Sequence, residues 1–550
     1  MDIIEIKKPC LVQTTQGFSL SYQNKYLYSK YNPSKQILNK IQELTILEGT
    51  IVLCFSPCLC YGLSELIKKQ AQHCLFLGCE LDNELHYFTN ELNEIKQLQS
   101  DNNNNFVFLS KEELLSLPSI LIKSSYTFSN GYKKSNPAFF KRIIRIDFSA
   151  GTSFQSDLYN QIEDFCIRAI KTFWTNRFTL TKFGKLYSTN LFRNLKRLPE
   201  TIPISSFIEK ISKPIVVFGA GESSEKGIAQ IKKNKNKYFI ICVDTSLRPL
   251  LMNDIEPDCV FIEEAQIIID DAFVGTKKHH FHICSSLSAS FSILQNFSSL
   301  NISFFATEFL DSEFFSKLKQ QDFFPFSISP FGSVGLTAVF FALKFRIDDT
   351  IPVFIYGLDF SYSKGKTHQN GSMPHISSLL KKERISSLEN FYSCYNTSSI
   401  PIEKNNIFST KILISYAELF NNYFCDKINL FSSSKFGIPL KIKYSEPFFY
   451  NGSLCSQNTS ELKIKYPSNI GEQIQDYYQK EIDILKECEQ LLSGQTSYSK
   501  NEIDKKIFSL LSKREYLYLF FPDGWKFSMD ISFLKRVKSS IVYFLKIFEN

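Results

Sequence analysis

The sequence predicts an α/β protein. It has a central Rossmann-like, mostly parallel sheet with helices on both faces, a smaller Rossmann-like N-terminal domain and an α-helical C-terminal domain. Three observations carry this. The apolar run Ile215 to Phe218 meets a Gly219-Ala220-Gly221 turn, then a polar helical stretch, then a second apolar run from Tyr238 to Val243 that ends on Asp244-Thr245-Ser246. This is a strand–turn–helix–strand unit with polar groups at the strand ends, the ligand-binding edge of an open parallel sheet. Residues 51–82 repeat the arrangement, and beyond about residue 465 apolar residues recur at helical spacing.

In chain order, short alternating runs (17–21, 25–29) lead through Tyr31-Asn32-Pro33-Ser34 into a helical pattern at 36–44. A strand at 51–55, a helix at 63–72 and a strand at 74–77 follow, with Glu80-Leu81-Asp82 at the end of the last strand. Asp101 to Asn105 reads as an exposed loop. Two helices are expected at 157–172 and 187–195, and Pro199, Pro203 and Pro214 punctuate the approach to the central domain. There the strand candidates are 259–262, 279–284 and 353–356, and Gly332-Ser333 opens an apolar helix at 334–345. Tail helices are expected at 471–492, 500–516 and 529–548. The domains read as 1–175, 176–450 and 451–550.

A chain of 550 residues is too long for one ordinary core. With 43% hydrophobic and 21% charged residues it is globular rather than disordered. Its net charge of +8 is small for this length and its basic residues are scattered, which argues against a nucleic-acid surface. The 14 cysteines are dispersed without paired CxxC knuckles, so reduced thiols in a cytoplasmic protein are expected, and no metal. The N-terminus lacks a signal-peptide pattern and no run reaches about 18 apolar residues, so no membrane insertion is expected.

The candidate site begins at the glycine turn. Gly219 and Gly221 permit backbone angles closed to other residues and let a phosphate come near. Ser223 and Ser224 add hydroxyls and can cap the next helix, whose free N–H groups and dipole favour an anion. The same turn without a ligand is equally consistent with the motif alone. Asp359 follows the strand at 353–356, and Lys364 to His368 form a polar loop beside it. Asp359 and His368 make an acid–base pair in one reading, a loop cap and a solvated histidine in the other. His279-His280-Phe281-His282 is metal-like but has no carboxylate nearby in sequence. In the first domain Ser56-Pro57-Cys58-Leu59-Cys60 stands where a Gly-rich loop would be, which suggests a Rossmann-like shape without a working nucleotide site.

Together these segments resemble the motility-associated factor (Maf) family of flagellin glycosyltransferases, over roughly residues 10–440. The matching stretches are YSKYNPSKQILNKI, TIVLCFSPCLCYGLSEL, VVFGAGESS, VDTSLRPLL, IEPD, FGSVGLTA and GLDFSYSKGKTH. The central domain is also similar to bacterial sialyltransferases that use CMP-activated nonulosonic acids. The resemblance implies transfer of a pseudaminic- or legionaminic-type acid from its CMP ester to Ser or Thr of flagellin, supporting flagellum assembly and motility, with no separate cofactor. It implies that Gly219, Gly221, Ser223, Asp244, Thr245 and Ser246 line the donor site, with Glu263 and Glu264 near the nucleotide. Gly332 and Ser333 would close the pocket, and the loop from Asp359 to His368 would approach the sugar; the tyrosines that the sialyltransferases place near the leaving phosphate do not map cleanly onto this chain, with Tyr362 the near match. The chain departs from the family at Glu222, where proline is more common, and has only His375 after His368.

Three rival readings share these residues. Archaeal hydroxymethylpterin diphosphokinases, which use ATP and magnesium, resemble the central domain. NAD binding fits the distance from the glycine turn to Asp244, but Ser224 takes the place of the third glycine and GSVGLTA is left unexplained. A non-enzymatic flagellin-binding factor would use the first domain and the tail as adaptors.

Overall fold

The computed structural model of the chain describes residues 8–549 apart from 102–104, 124, 310–311, 386–398, 403–406, 450–463 and 496–497. Most of the Asp101–Asn105 loop thus lies outside the described residues. The chain divides into two compact units, Met1–Lys182 and Phe183–Asn550. No described helix is long and apolar enough to cross a membrane.

The first unit opens with an antiparallel sheet of β1 (Cys10–Thr14), β2 (Gly17–Tyr22) and β3 (Lys25–Tyr26). A parallel sheet follows, of β4 (Thr50–Phe55), β5 (Leu75–Cys79), β6 (Phe106–Phe108) and β7 (Arg142–Asp147), in the order β6-β5-β4-β7. Every residue of β4 and β5 is buried, as a strand covered on both faces requires. At the carboxyl end of β4 the space for a phosphate loop is filled by the protein itself. The buried Glu80 carboxylate accepts from Ser56 Oγ (2.7 Å), Tyr159 Oη (3.0 Å) and the Asp82 amide (3.1 Å), and burial raises its pKa.

The helix expected as two pieces is one helix of 42 residues, Ser156–Arg197. Polar residues between 172 and 187 blur the apolar spacing, but no proline interrupts them, and a single Gly184 costs only about 1 kcal/mol. The helix at 63–72 is shorter than expected, Leu63–Lys68.

In the second unit nine parallel strands stand in the order β13-β12-β11-β10-β9-β8-β14-β18-β19. They are β8 (Ile215–Phe218), β9 (Phe239–Val243), β10 (Cys259–Ile262), β11 (His282–Ser286), β12 (Ile302–Thr307), β13 (Ser327–Ile328), β14 (Val353–Tyr356), β18 (Leu430–Ser432) and β19 (Lys443–Tyr444). A small antiparallel sheet, β15 (Tyr362–Ser363), β17 (Ile407–Ser409) and β16 (Ile400–Ile402), lies beside it in sequence. From β8 the chain steps outward to β13, then returns to place β14 on the other side of β8. The strand order reverses there, and a crevice opens at the carboxyl ends.

The Val334–Phe345 helix is apolar almost all round and is buried over β8 to β10; Phe341 stacks on Phe261 with ring centroids 5.3 Å apart. Burying each such side chain contributes about 1.5–3 kcal/mol. The C-terminal helices Ile470–Leu492, Lys500–Leu511 and Ile531–Glu549 belong to this unit. The rings Tyr478, Phe544 and Phe548 of these helices, with Tyr516 of the Glu515–Leu517 turn, surround Phe192. Glu481, buried at 6% exposure, holds Arg514 through two bonds (2.8 and 2.9 Å) and accepts from Tyr516 Oη (2.8 Å).

The histidine run does not form the strand expected at 279–284. His279 bonds Glu256 (2.6 Å), and the strand begins at His282, buried against Ser303 Oγ (2.7 Å). Among the described residues no group of three or more His, Cys, Asp or Glu could hold a metal ion, and the twelve described cysteines are free.

Candidate functional site

A cavity of about 230 Å³ occupies the crevice where β8 and β14 adjoin. Gly219, Gly221, Asp244, Thr245, Ser333, Asp359 and His368 line it. The glycine turn and the start of the Val334–Phe345 helix therefore face one space. Five other candidate residues, Ser223, Ser246, Glu263, Gly332 and Tyr362, are not part of its lining.

The glycine turn works differently from the expectation. Neither Gly219 nor Gly221 has a positive φ. They are required by close approach of β14. A Cβ on Gly219 would stand 2.4 Å from the Gly357 carbonyl oxygen, and one on Gly221 would stand 2.5 Å from Asp359 Oδ2. Their amides are also already used, Gly219 donating to Tyr356 O and Gly221 to Gly357 O (2.8 Å each). The Ala220 amide has no partner among the described residues.

The serines around the turn point inward. Ser224 Oγ and Ser246 Oγ both donate to the Gly219 carbonyl (2.7 and 2.6 Å). Ser223 makes no capping bond. Its amide and hydroxyl donate to the Asp359 carboxylate (2.9 and 2.5 Å), and its oxygen accepts from the Gly357 amide (2.8 Å). Asp359 thus ties the end of β14 to the turn after β8. Burial pushes its pKa up to about 6, against the opposing effect of Ser223.

Free backbone donors lie across the cavity. At the start of the Val334–Phe345 helix the Leu336 and Thr337 amides bond the Ser333 carbonyl, while those of Val334 and Gly335, both in the lining, have no partner among the described residues. Ser333 holds the N-cap position without a side-chain bond. Gly335 leaves room that a side chain would take, since its Cβ would stand 2.3 Å from Leu358 Cδ2. Among the described residues no lysine or arginine lines the cavity. The lining groups that can attract an anion are therefore this helix end and the Ala220 amide.

Asp244 and Thr245, at the end of β9, form the opposite wall. Asp244 Oδ1 accepts from Thr245 Oγ1 (2.8 Å), and burial raises its pKa to about 6. Glu263 joins β10 to its neighbours, accepting from Thr307 Oγ1 (3.0 Å) and Thr337 Oγ1 (2.9 Å), with its pKa raised by burial. Gly332 has a φ of +73° and packs under Tyr416, a residue of the Lys411–Phe424 helix that lines the cavity. Tyr362 turns away and bonds Ser399 Oγ (2.7 Å).

Asp359 and His368 share the cavity, but among the described residues no hydrogen bond joins them. His368 Nδ1 bonds Thr367 Oγ1 (3.0 Å), and burial lowers its pKa, which keeps the ring neutral near pH 7. A strap fixes the histidine from the far side. The Gln369 amide donates to Ala220 O (3.0 Å), its Nε2 donates to Ser246 Oγ (3.0 Å), and Lys366 pairs with Glu225 (2.8 Å). Tyr416 and the Val334 and Gly335 amides are among the lining groups that sequence reasoning missed. The two amides had a signal in the serine-opened helix; Tyr416, from a distant helix, had none.

Comparison with known proteins agrees with this architecture. The model of the 6-hydroxymethylpterin diphosphokinase MptE-like family matches residues 189–365. An uncharacterized protein of Treponema pallidum (strain Nichols) is 26% identical over 566 residues, covering 98% of this chain and 95% of that protein. The fold is similar to the structure of the MAf glycosyltransferase from Magnetospirillum magneticum AMB-1. The TM-score is 0.57 at 12% identity, covering 99% of this chain and 92% of that one. The fold resemblance drawn from the motifs is thus met along the whole chain, and the diphosphokinase-like resemblance in the central segment.

Proposed function

We propose that the protein is a cytoplasmic glycosyltransferase. It moves a nonulosonic acid of pseudaminic or legionaminic type from its CMP ester to Ser or Thr hydroxyls of flagellin, supporting flagellum assembly and motility. One observation carries the reading: the glycine turn, the Asp244–Thr245 strand end and the free amides of Val334 and Gly335 line one cavity at the switch point. The full-length fold similarity to a MAf glycosyltransferase supports it.

In this reaction the bond between the anomeric carbon and the phosphate oxygen breaks, and CMP leaves with the electron pair. The acceptor oxygen bonds the anomeric carbon and gives up its proton. The Val334 and Gly335 amides stabilise charge on the departing phosphate. His368, neutral and half-buried, takes the acceptor proton. Asp359 holds the two loops together, so the remaining contribution is positioning.

The MptE-like match over 189–365 supports a second reading, an ATP-dependent diphosphokinase-like transferase. The two separate in parallel assays. Flagellin with a CMP-nonulosonic acid is followed by intact mass, and ATP, magnesium and a hydroxymethylpterin are followed by AMP release. The proposal expects one sugar mass per modified site and no AMP. AMP release with unmodified flagellin overturns it, and flagellin bound but unmodified favours an adaptor.

A further inference from the structure

A second cavity, of about 280 Å³, lies on the other side of the β14 carboxyl end and shares Gly357, Leu358 and Asp359 with the first. Its chemistry differs. Lys435 lines it, whereas no lysine or arginine lines the first, so among the described residues Lys435 is the cation of the combined crevice. Lys435 is exposed and has no ion-pair partner among the described residues; its Nζ sits 4.8 Å from the Tyr444 ring centroid. Ile355, Ile438 and Leu440 supply an aliphatic wall, and Ser432 a hydroxyl.

The segment carrying Lys435 is built against β14. The Ser433 amide donates to Ile355 O (3.0 Å) and the Ile438 amide to Asp359 O (2.9 Å). Gly437, at a φ of +94°, lies so near that a Cβ would stand 2.3 Å from the Asp359 carbonyl oxygen. The backbone that carries Lys435 is therefore held against the residue that divides the two cavities, within a side chain's reach of it.

We infer that the donor straddles Asp359, with its nucleotide in the first cavity and its acidic sugar ring in the second, the sugar carboxylate paired with Lys435. This rests on the glycosyltransferase reading. A CMP-nonulosonic acid carries two separate negative charges, on phosphate and carboxylate. The free amides of the Val334–Phe345 helix serve the phosphate, and Lys435 is the complement left for the carboxylate. The aliphatic wall suits the methyl groups of such a sugar.

Calorimetric titration of the full chain with CMP and with CMP-pseudaminic or CMP-legionaminic acid tests this, in wild type, Lys435→Gln and Lys435→Arg. The side chain is exposed, so circular dichroism of the variants should match wild type. In Lys435→Gln the donor Kd should rise about 10-fold, the loss of one partly exposed charge-assisted bond, while the CMP Kd stays unchanged. Lys435→Arg should regain most of the loss, and added salt should shrink the difference. Equal weakening of CMP and donor, or no change in either, overturns the sugar site and leaves the transferase reading standing. Wild type that binds neither ligand overturns both.

Discussion

Replacing Gly221 by alanine tests the close approach of β8 and β14. The new methyl carbon would stand 2.5 Å from Asp359 Oδ2 and 2.8 Å from the Gly357 carbonyl oxygen, where ordinary contact begins near 3.4 Å. The carboxylate must withdraw by about 0.9 Å. That would stretch the 2.9 Å bond from the Ser223 amide beyond hydrogen-bonding range. Overpacking costs about 1–3 kcal/mol and loss of a charge-assisted bond about 1.5–3 kcal/mol; with partial relaxation the sum is about 3 kcal/mol. Urea denaturation followed by circular dichroism reads this loss, and titration with CMP should show weakened binding. Gly275→Ala is the control: its φ is +78° with nothing within 4 Å of a Cβ, so it pays only local backbone strain of about 1–2 kcal/mol and leaves CMP binding intact. A Gly221→Ala protein within 1 kcal/mol of wild type that binds CMP normally would refute the reasoning.

Three further outcomes follow from the site and the core. His368→Asn should lower transfer turnover by about 10²–10⁴ with CMP affinity unchanged, and in wild type the acid limb of the pH profile should lie below the ordinary imidazole range, because burial lowers this pKa; full turnover in the variant would move the base elsewhere. Asp359 has a folded pKa raised to about 6 from 3.8, so its contribution to stability is fullest below about pH 4 and is lost as pH rises through 6. Relative to Asp359→Asn, wild type should therefore lose about 2 kcal/mol between pH 4 and pH 7 in urea titrations, and parallel pH curves would contradict the assignment. Glu481→Ala strands the Arg514 guanidinium and the Tyr516 hydroxyl in the C-terminal core and should cost about 3–5 kcal/mol, while Glu481→Leu with Arg514→Met should recover most of it.

The strands that were legible are those whose apolar runs are cut off sharply. β8 ends on a Gly-Ala-Gly turn, β14 on Gly357, and β10 begins after Pro257 and Asp258, so their boundaries follow from composition. The Val334–Phe345 helix was legible for the same reason, and with it the two segments that meet at the cavity. Side-chain direction was not legible. Ser223 looked like a cap because its partner Asp359 lies 136 positions away, and sequence could not show that the Ser246 and Glu263 side chains, placed near the donor by resemblance, bond Gly219, Thr307 and Thr337. The glycines were marked correctly as a place of close approach, but what comes close is the protein's own β14. The long Ser156–Arg197 helix was divided because apolar periodicity fades in its middle, although nothing there prevents the backbone bonds from continuing.

The account turns on which backbone amides meet the donor phosphate. A crystal structure of the protein with CMP bound reads this directly. The account predicts phosphate oxygens within about 3 Å of the Val334 and Gly335 amides, with the ribose toward Asp244 and Thr245. CMP bound outside this cavity, or with its phosphate away from the start of that helix, would contradict it.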